Sequence, residues 1–124
     1  MKKIKICTSV IGKTLKEFLE NLEKVQGISE MVELRVDKIK DLSEQDLKLI
    51  RKKTIKKAIF TCRRKEIILK ALNLEFDYID VDFSLIEELK LSKSKKTKII
   101  ASFHDYKKTP KIQELTLIIN RMRE

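Results

Sequence analysis

A small set of ionisable side chains has the chemistry needed to move protons and to bind an anion. His104 is the single histidine of the sequence, and imidazole ordinarily titrates near neutral pH, which makes His104 the candidate general acid and base. Guanidinium groups bind carboxylates in a bidentate manner, so Arg35 and Arg63 are candidates for holding an anionic ligand. Together these residues predict a site for a small, anionic, hydroxylated substrate.

The charged residues near Arg35 follow a two-residue period. Glu33, Arg35 and Asp37 alternate with three aliphatic residues, and the side chains of a strand point alternately to its two faces. An unpaired buried charge costs several kcal/mol, so the charged face must be internally paired or must contact a ligand. A solvated edge strand is the alternative. Three later segments repeat the pattern, which favours one shared site: Thr61 with Arg63, Tyr78 with Asp80 and Asp82, and Ser102 with His104.

Five apolar runs, each followed by a segment with helical spacing, must position these side chains. The predicted strands are Lys3–Val10, Met31–Lys38, Lys57–Arg64, Phe76–Asp82 and Lys98–Tyr106. The predicted helices are Thr14–Val25, Ser43–Ile50 with Ser43 as N-cap, Ile67–Leu74, Leu85–Leu89 and Ile112–Met122. Regular alternation of strands and helices predicts an α/β fold with a parallel sheet and right-handed crossovers.

This alternation fits two architectures, a doubly wound open sheet or part of a (β/α)₈ barrel. A complete barrel needs about 250 residues, so a chain of 124 residues can supply about five strands. We therefore expect residues 1–124 to form a single domain, the N-terminal part of a barrel. In both architectures ligands bind at the carboxyl ends of the strands, where the polar clusters fall.

Composition excludes several classes of protein. With 42% hydrophobic residues the chain is too apolar for a disordered polycation, and two glycines exclude a glycine-rich phosphate loop. No run of eighteen apolar residues occurs, so no membrane span is expected. The net charge of +10 comes mainly from lysines spread among Glu and Asp, a pattern typical of a solvated surface and not of nucleic-acid binding.

Cys7 and Cys62 are isolated, each within an apolar run. This pattern predicts two buried free thiols in a reducing cytosol, and therefore a cytoplasmic protein. The first residues carry no cleavage site typical of a signal peptide. Folding needs neither a metal nor a cofactor.

Four motifs identify a family that the chain resembles. These motifs are VELRVD at 32–37, FTCR at 60–63, DYIDVD at 77–82 and IASFHDYKKTP at 100–110. In this order and spacing they resemble type I 3-dehydroquinate dehydratase, the Schiff-base-forming enzyme of the shikimate pathway that leads to chorismate and the aromatic amino acids. The resemblance covers essentially the whole chain.

The resemblance implies a (β/α)₈ barrel that dehydrates 3-dehydroquinate to 3-dehydroshikimate without a metal or other cofactor. By matching motif, His104 would be the general acid and base. Glu33 and Arg35 would contact the substrate ring and its hydroxyls, and Arg63 would also bind substrate. Glu66 would be the shifted counterpart of the family's glutamate that orients the catalytic histidine; the alternative is that the loop bearing this glutamate is deleted here.

The resemblance also implies a missing part. The family's imine-forming lysine lies on the strand after the histidine strand, and this sequence ends before that strand. Lys107 and Lys108 are poor substitutes, because an imine-forming lysine needs a fixed, desolvated position. We therefore expect a partner, either a complementary C-terminal half or further copies in a homo-oligomer. The alternative is a non-catalytic α/β remnant that binds anions or nucleic acid.

Overall fold

The computed structural model describes residues 4–89, 97–104, 107 and 109–123. Strands and helices alternate throughout, as the sequence predicts. The strands are β1 (Cys7–Val10), β2 (Met31–Arg35), β3 (Lys57–Thr61), β4 (Tyr78–Asp82) and β5 (Lys98–Ser102). The helices are α1 (Leu15–Gln26), α2 (Glu44–Lys53), α3 (Lys65–Ala71), α4 (Phe83–Leu89) and α5 (Ile112–Arg123).

All five strands pair in parallel, in the order β1-β2-β3-β4-β5. Each strand therefore lies beside its neighbour in the chain, without the reversal of order that defines a doubly wound sheet. The register aligns Arg35, Thr61 and Asp80 in one row across the sheet, and pairs Asp82 with Ser102 two residues further along the strands. The predicted parallel α/β fold is confirmed, and its open sheet is consistent with part of a (βα) barrel.

The apolar core lies on one side of the sheet, against the helices. On β2 the aliphatic residues Val32 and Leu34 are fully buried. The charged residues that alternate with them are not, since Glu33 is half-buried and Arg35 is exposed. Phe18 and Leu22, one turn apart on α1, cover this side of the sheet, as expected for helices with one apolar stripe. Among the described residues no helix is long and apolar enough to cross a membrane.

Side-chain caps fix where two of the helices begin. The Ser43 hydroxyl accepts a hydrogen bond from the Asp46 amide at 3.1 Å, and the Ser43 amide donates to the Asp46 carboxylate at 3.0 Å. This reciprocal capping box satisfies two helix-end groups and confirms Ser43 as N-cap. At the start of α1 the Thr14 hydroxyl is the N-cap, since it accepts a hydrogen bond from the Glu17 amide at 3.1 Å.

The strands are shorter than the sequence predicts. The ladders of β2, β3 and β5 end at Arg35, Thr61 and Ser102, so Asp37, Arg63 and His104 follow the strands. The period-two pattern continues past each strand end, which is why the apolar runs overestimated strand length. Lys3, Asp105, Tyr106 and Lys108 lie outside the described residues.

One of the two cysteine predictions is wrong. Both thiols are free, but Cys62 is buried and Cys7 is exposed. Cys7 lies on the edge strand β1 and shares with Ser9 the face that points away from the helices, since side chains two residues apart lie on one face. An apolar neighbourhood in the sequence therefore did not guarantee burial.

The close approach of β1 and α1 depends on Gly12. A Cβ at this position would lie 2.6 Å from the backbone nitrogen of Phe18 and 2.7 Å from its Cα. Such contacts force the helix to move. At Gly27 the nearest atom to an added Cβ is 3.4 Å away, and the backbone is helical with φ of −70°.

We expect Gly12→Ala to lower the free energy of unfolding by about 1–3 kcal/mol, because α1 must shift away from β1. The matched Gly27→Ala variant should raise it by about 0.4–1 kcal/mol, since the helical backbone at this position suits alanine and the unfolded chain loses conformational freedom. Urea denaturation followed by circular dichroism measures both values. Equal effects of the two substitutions would contradict the contact geometry at Gly12.

Candidate active site

A cavity of about 370 Å³ lies on the sheet face that the helices do not cover, towards the carboxyl ends of the strands. Among the described residues, ten from β2, β3, β4, β5 and the segments that follow them line it: Glu33, Arg35, Asp37, Thr61, Cys62, Arg63, Asp80, Asp82, Ser102 and His104. Most of these side chains are charged or polar. The predicted convergence of polar clusters from four strands is therefore present in the fold.

The carboxylate of Glu33 is held in place from both sides. Ser9 Oγ on β1 donates to Glu33 Oε1 at 2.7 Å, and Thr61 Oγ1 on β3 donates to Glu33 Oε2 at 3.1 Å. These bonds link three adjacent strands. Each carboxylate oxygen retains a further lone pair, so Glu33 can still accept a hydrogen bond from a ligand hydroxyl.

Arg35 at the end of β2 and Arg63 in the segment after β3 supply positive charge at the same cavity. Asp37 fixes the start of the segment after β3, because its Oδ1 accepts a hydrogen bond from the backbone amide of Arg63 at 3.3 Å. The two guanidinium groups suit a carboxylate or hydroxylated ligand, to which they can donate several hydrogen bonds in a fixed plane.

His104 lies beside a carboxylate of the adjacent strand. Its Nδ1 is 3.9 Å from Asp82 Oδ2, and the two side chains are 42% and 29% exposed. The other oxygen of Asp82, Oδ1, accepts hydrogen bonds from the amide and the hydroxyl of Ser84 at 3.0 and 2.7 Å. Partial burial by itself would raise the pKa of Asp82, but the bonds from Ser84 and the charges of His104 and Arg63 hold that pKa below its ordinary value.

Asp80 lies in the same row of the sheet as Arg35 and Thr61. Its Oδ1 is buried and, among the described residues, accepts no hydrogen bond. A buried carboxylate oxygen without a donor is costly, and Asp80 lines the cavity. This oxygen is therefore available to a donor group that enters the cavity.

Cys62 also lines the cavity, but its thiol is protonated and therefore a poor nucleophile. Burial, together with the negative charge of Asp37, raises the pKa of Cys62 to about 11, although hydrogen bonds from Arg64 oppose the shift. The thiolate is the reactive form. Cys62 therefore remains a neutral thiol at physiological pH.

Four of the five predicted site residues line this cavity, namely Glu33, Arg35, Arg63 and His104. Glu66 does not. It is exposed in the first turn of α3, and it is absent from the cavity lining. No hydrogen bond or ion pair between Glu66 and His104 occurs among the described residues.

Sequence reasoning did not select Ser9 or Cys62 as site residues. Ser9 could have been found, because it lies at a polar position of β1 level with Glu33. Cys62 could not have been found, because the two-residue alternation places it on the same strand face as the core residue Phe60. Among the described residues no group of three or more His, Cys, Asp or Glu side chains is arranged to hold a metal ion.

A parallel βα sheet with charged residues gathered at the carboxyl ends of its strands defines an α/β protein with a site for a small polar ligand. The sequence model of the family described as type I 3-dehydroquinase matches residues 6–124. The chain belongs to this family, and the resemblance drawn from its motifs is confirmed.

Named relatives agree with this assignment. The chain is 37% identical over 133 residues to a 3-dehydroquinate dehydratase of Coxiella burnetii (strain RSA 493 / Nine Mile phase I), covering 96% of this chain and 57% of the relative. It is 28% identical to the 3-dehydroquinate dehydratase of Methanocaldococcus jannaschii, covering 94% of this chain and 60% of the relative. It is 29% identical to the chloroplastic bifunctional 3-dehydroquinate dehydratase/shikimate dehydrogenase of Arabidopsis thaliana, covering 96% of this chain and 23% of the relative.

The chain thus spans less than two thirds of the length of these relatives. In the dehydratases of Coxiella burnetii and Methanocaldococcus jannaschii, the matched region is the N-terminal part. No solved structure matches the chain significantly.

The two thiols should differ in reactivity. We expect iodoacetamide at pH 8 to alkylate Cys7 at least about tenfold faster than Cys62, because Cys7 is exposed and only about one Cys62 thiol in a thousand is ionised at a pKa of about 11. Burial and the nearby charge of Glu33 also raise the pKa of Cys7, but its exposed position leaves the sulfur accessible to the reagent. Peptide mass spectrometry measures both rates.

The control is the same reaction in concentrated urea, where both cysteines should react at similar rates. If Cys62 reacts as fast as Cys7 in the folded protein, Cys62 is not the neutral buried thiol described above.

Proposed function

We propose that this chain is the part of a 3-dehydroquinate dehydratase that binds the substrate and transfers its protons, in the dehydration of 3-dehydroquinate to 3-dehydroshikimate. One observation carries the proposal: Glu33, Arg35, Arg63 and His104 line a single cavity at the carboxyl ends of the strands. The chain also matches the type I 3-dehydroquinase family over residues 6–124.

The arrangement suits a dehydration of a polar ring. The reaction breaks a C–H bond next to a ketone and a C–O bond one carbon further, forms a C=C bond and releases water. His104 would accept the proton from carbon and donate a proton to the departing hydroxyl. Arg35 and Arg63 would hold the substrate, and the fixed Glu33 carboxylate would accept a hydrogen bond from a ring hydroxyl.

The covalent part of the proposed reaction needs an amine. A lysine imine withdraws electrons from the adjacent carbon and makes its proton easier to remove. Lys107 is exposed in the segment after β5, so it lacks the desolvated setting that activates such an amine. We therefore assign the imine-forming lysine to a further βα unit beyond β5.

Exposed apolar side chains near β5 and α5 support the presence of further units. Ile112 and Ile119 on α5 are 81% and 48% exposed, and Phe103 just after β5 is 40% exposed. At the opposite edge Ile4 and Ile6 precede β1 and are 89% and 75% exposed. Additional βα units between these two edges would cover such residues and close a (β/α)₈ barrel.

We propose that these units come from a complementary C-terminal half, in preference to further copies of this chain.

The free thiols support a reducing compartment, and so the cytosolic location predicted from the sequence. The alternative of a non-catalytic anion- or nucleic-acid-binding module has no support from the comparisons.

The test is to combine this chain with the C-terminal segment of the Coxiella burnetii relative that lies beyond the matched region. We expect the mixture to convert 3-dehydroquinate into its conjugated enone product, followed by ultraviolet absorbance, and borohydride to trap the imine. His104→Ala should lower turnover about a hundredfold or more, because it removes the group that moves both protons.

Lys40→Ala is the matched control, since Lys40 is exposed in the loop between β2 and α2 and does not line the cavity. It should leave turnover unchanged. Unchanged turnover in His104→Ala would contradict the assignment of His104. Absence of turnover, both in the mixture and in a single polypeptide that joins the two parts, would overturn the proposed function.

A further inference from the structure

The histidine of the cavity needs a group that holds its ring and sets its tautomer. A neutral imidazole has one protonated and one unprotonated nitrogen, and a carboxylate near one nitrogen favours the proton there. The family resemblance assigns this task to Glu66. Yet Glu66 is exposed on α3 and does not line the cavity, so another carboxylate must be considered.

Asp82 has the required position. Its Oδ2 is 3.9 Å from His104 Nδ1, and it lies on β4, the strand that pairs with β5 just before His104. The separation is longer than a hydrogen bond, but catalytic hydrogen bonds are often long before substrate binds. The distance is short enough for attraction between the carboxylate and an imidazolium.

Asp82 is itself held in place. Ser84 donates two hydrogen bonds to Asp82 Oδ1, from its amide at 3.0 Å and from its hydroxyl at 2.7 Å. These bonds occupy one carboxylate oxygen and leave Oδ2 directed to His104. A carboxylate anchored in this way orients its partner more precisely than a mobile one.

We infer that Asp82 is the positioning residue of His104, which holds the ring by Nδ1 and leaves Nε2 to exchange protons with the substrate. In this chain Asp82 thus performs the task that the family resemblance gives to Glu66. The catalytic meaning of the pair rests on the proposed dehydratase function, whereas the pairing itself can be measured without turnover.

Other charged groups face the same cavity and act on His104 as well. From β2 and the following segment they are Glu33, Arg35 and Asp37, from the segment after β3 Arg63, and from β4 Asp80 and Asp82. Arg63 also interacts electrostatically with Asp82 and lowers its pKa. The test must therefore separate the contribution of Asp82 from that of the cavity as a whole.

The single histidine makes this separation practical, because its ring resonances need no further assignment in NMR spectra of the full chain. We expect the wild-type neutral ring to carry its proton on Nδ1. In Asp82→Asn the fraction of the neutral ring that carries its proton on Nδ1 should fall, because the carboxylate that favours the proton there is gone. Asp82→Glu should restore most of this difference.

The pKa of Asp82 supplies a second measurement, because the two side chains act on each other. His104→Gln should raise the pKa of Asp82, because the positive ring contributes to its low value. Asp82 Oδ1 should keep its bonds to Ser84 in that variant, so a backbone NMR spectrum that is unchanged elsewhere excludes unfolding as the cause.

Glu66→Gln is the matched control, and it should leave the His104 tautomer unchanged. A tautomer that changes in Glu66→Gln and not in Asp82→Asn would overturn the assignment in favour of Glu66. A tautomer that changes in neither variant would also overturn it.

The combined barrel of the preceding section gives the catalytic readout. Asp82→Asn should lower kcat by about tenfold and change KM little, and Asp82→Glu should recover most of the lost kcat. If the tautomer changes in Asp82→Asn while the wild-type barrel shows no turnover, the proposed function fails and the pairing stands. If the barrel turns over while Asp82→Asn leaves both the tautomer and kcat unchanged, the pairing fails and the function stands.

Discussion

The alternation of side chains along parallel strands is the constraint on which the rest of this structure depends. On β2 it sends Val32 and Leu34 to the helices and Glu33 and Arg35 to the opposite face. Charged groups cannot remain unpaired in an apolar interior, so that face has to be solvated, mutually bonded or filled by a ligand. The bonds from Ser9 and Thr61 to Glu33 and the contact of His104 with Asp82 are the local solutions.

Much of the fold follows from the sequence, because periodicity reports which side of an element is buried. The five βα units, the N-cap at Ser43 and the grouping of Glu33, Arg35, Arg63 and His104 were all predicted from spacing and residue type. The strand ends were not, since the polar period continues into the segments that carry Arg63 and His104. Cys7 was misplaced because an apolar run at a sheet edge is covered on one side only.

Contacts between side chains of different strands were the hardest feature to predict. The sequence separates Ser9 from Glu33 by a helix, and only the register of β1 with β2 places them side by side. The same holds for Asp82 and His104, which the register of β4 with β5 brings close. Family motifs supplied Glu66 as a candidate instead, but a motif carries a residue's role over without its position in space.

The one-sided core has a consequence for how such a protein can change. Because the residues that hold the fold together face the helices, those around the cavity carry little of the packing. Substitutions around the cavity therefore disturb the packing of the fold little, so new ligand preferences can evolve while the sheet and helices stay intact. Gly12 marks a limit to that freedom, since its close approach to Phe18 belongs to the scaffold that joins β1 to α1.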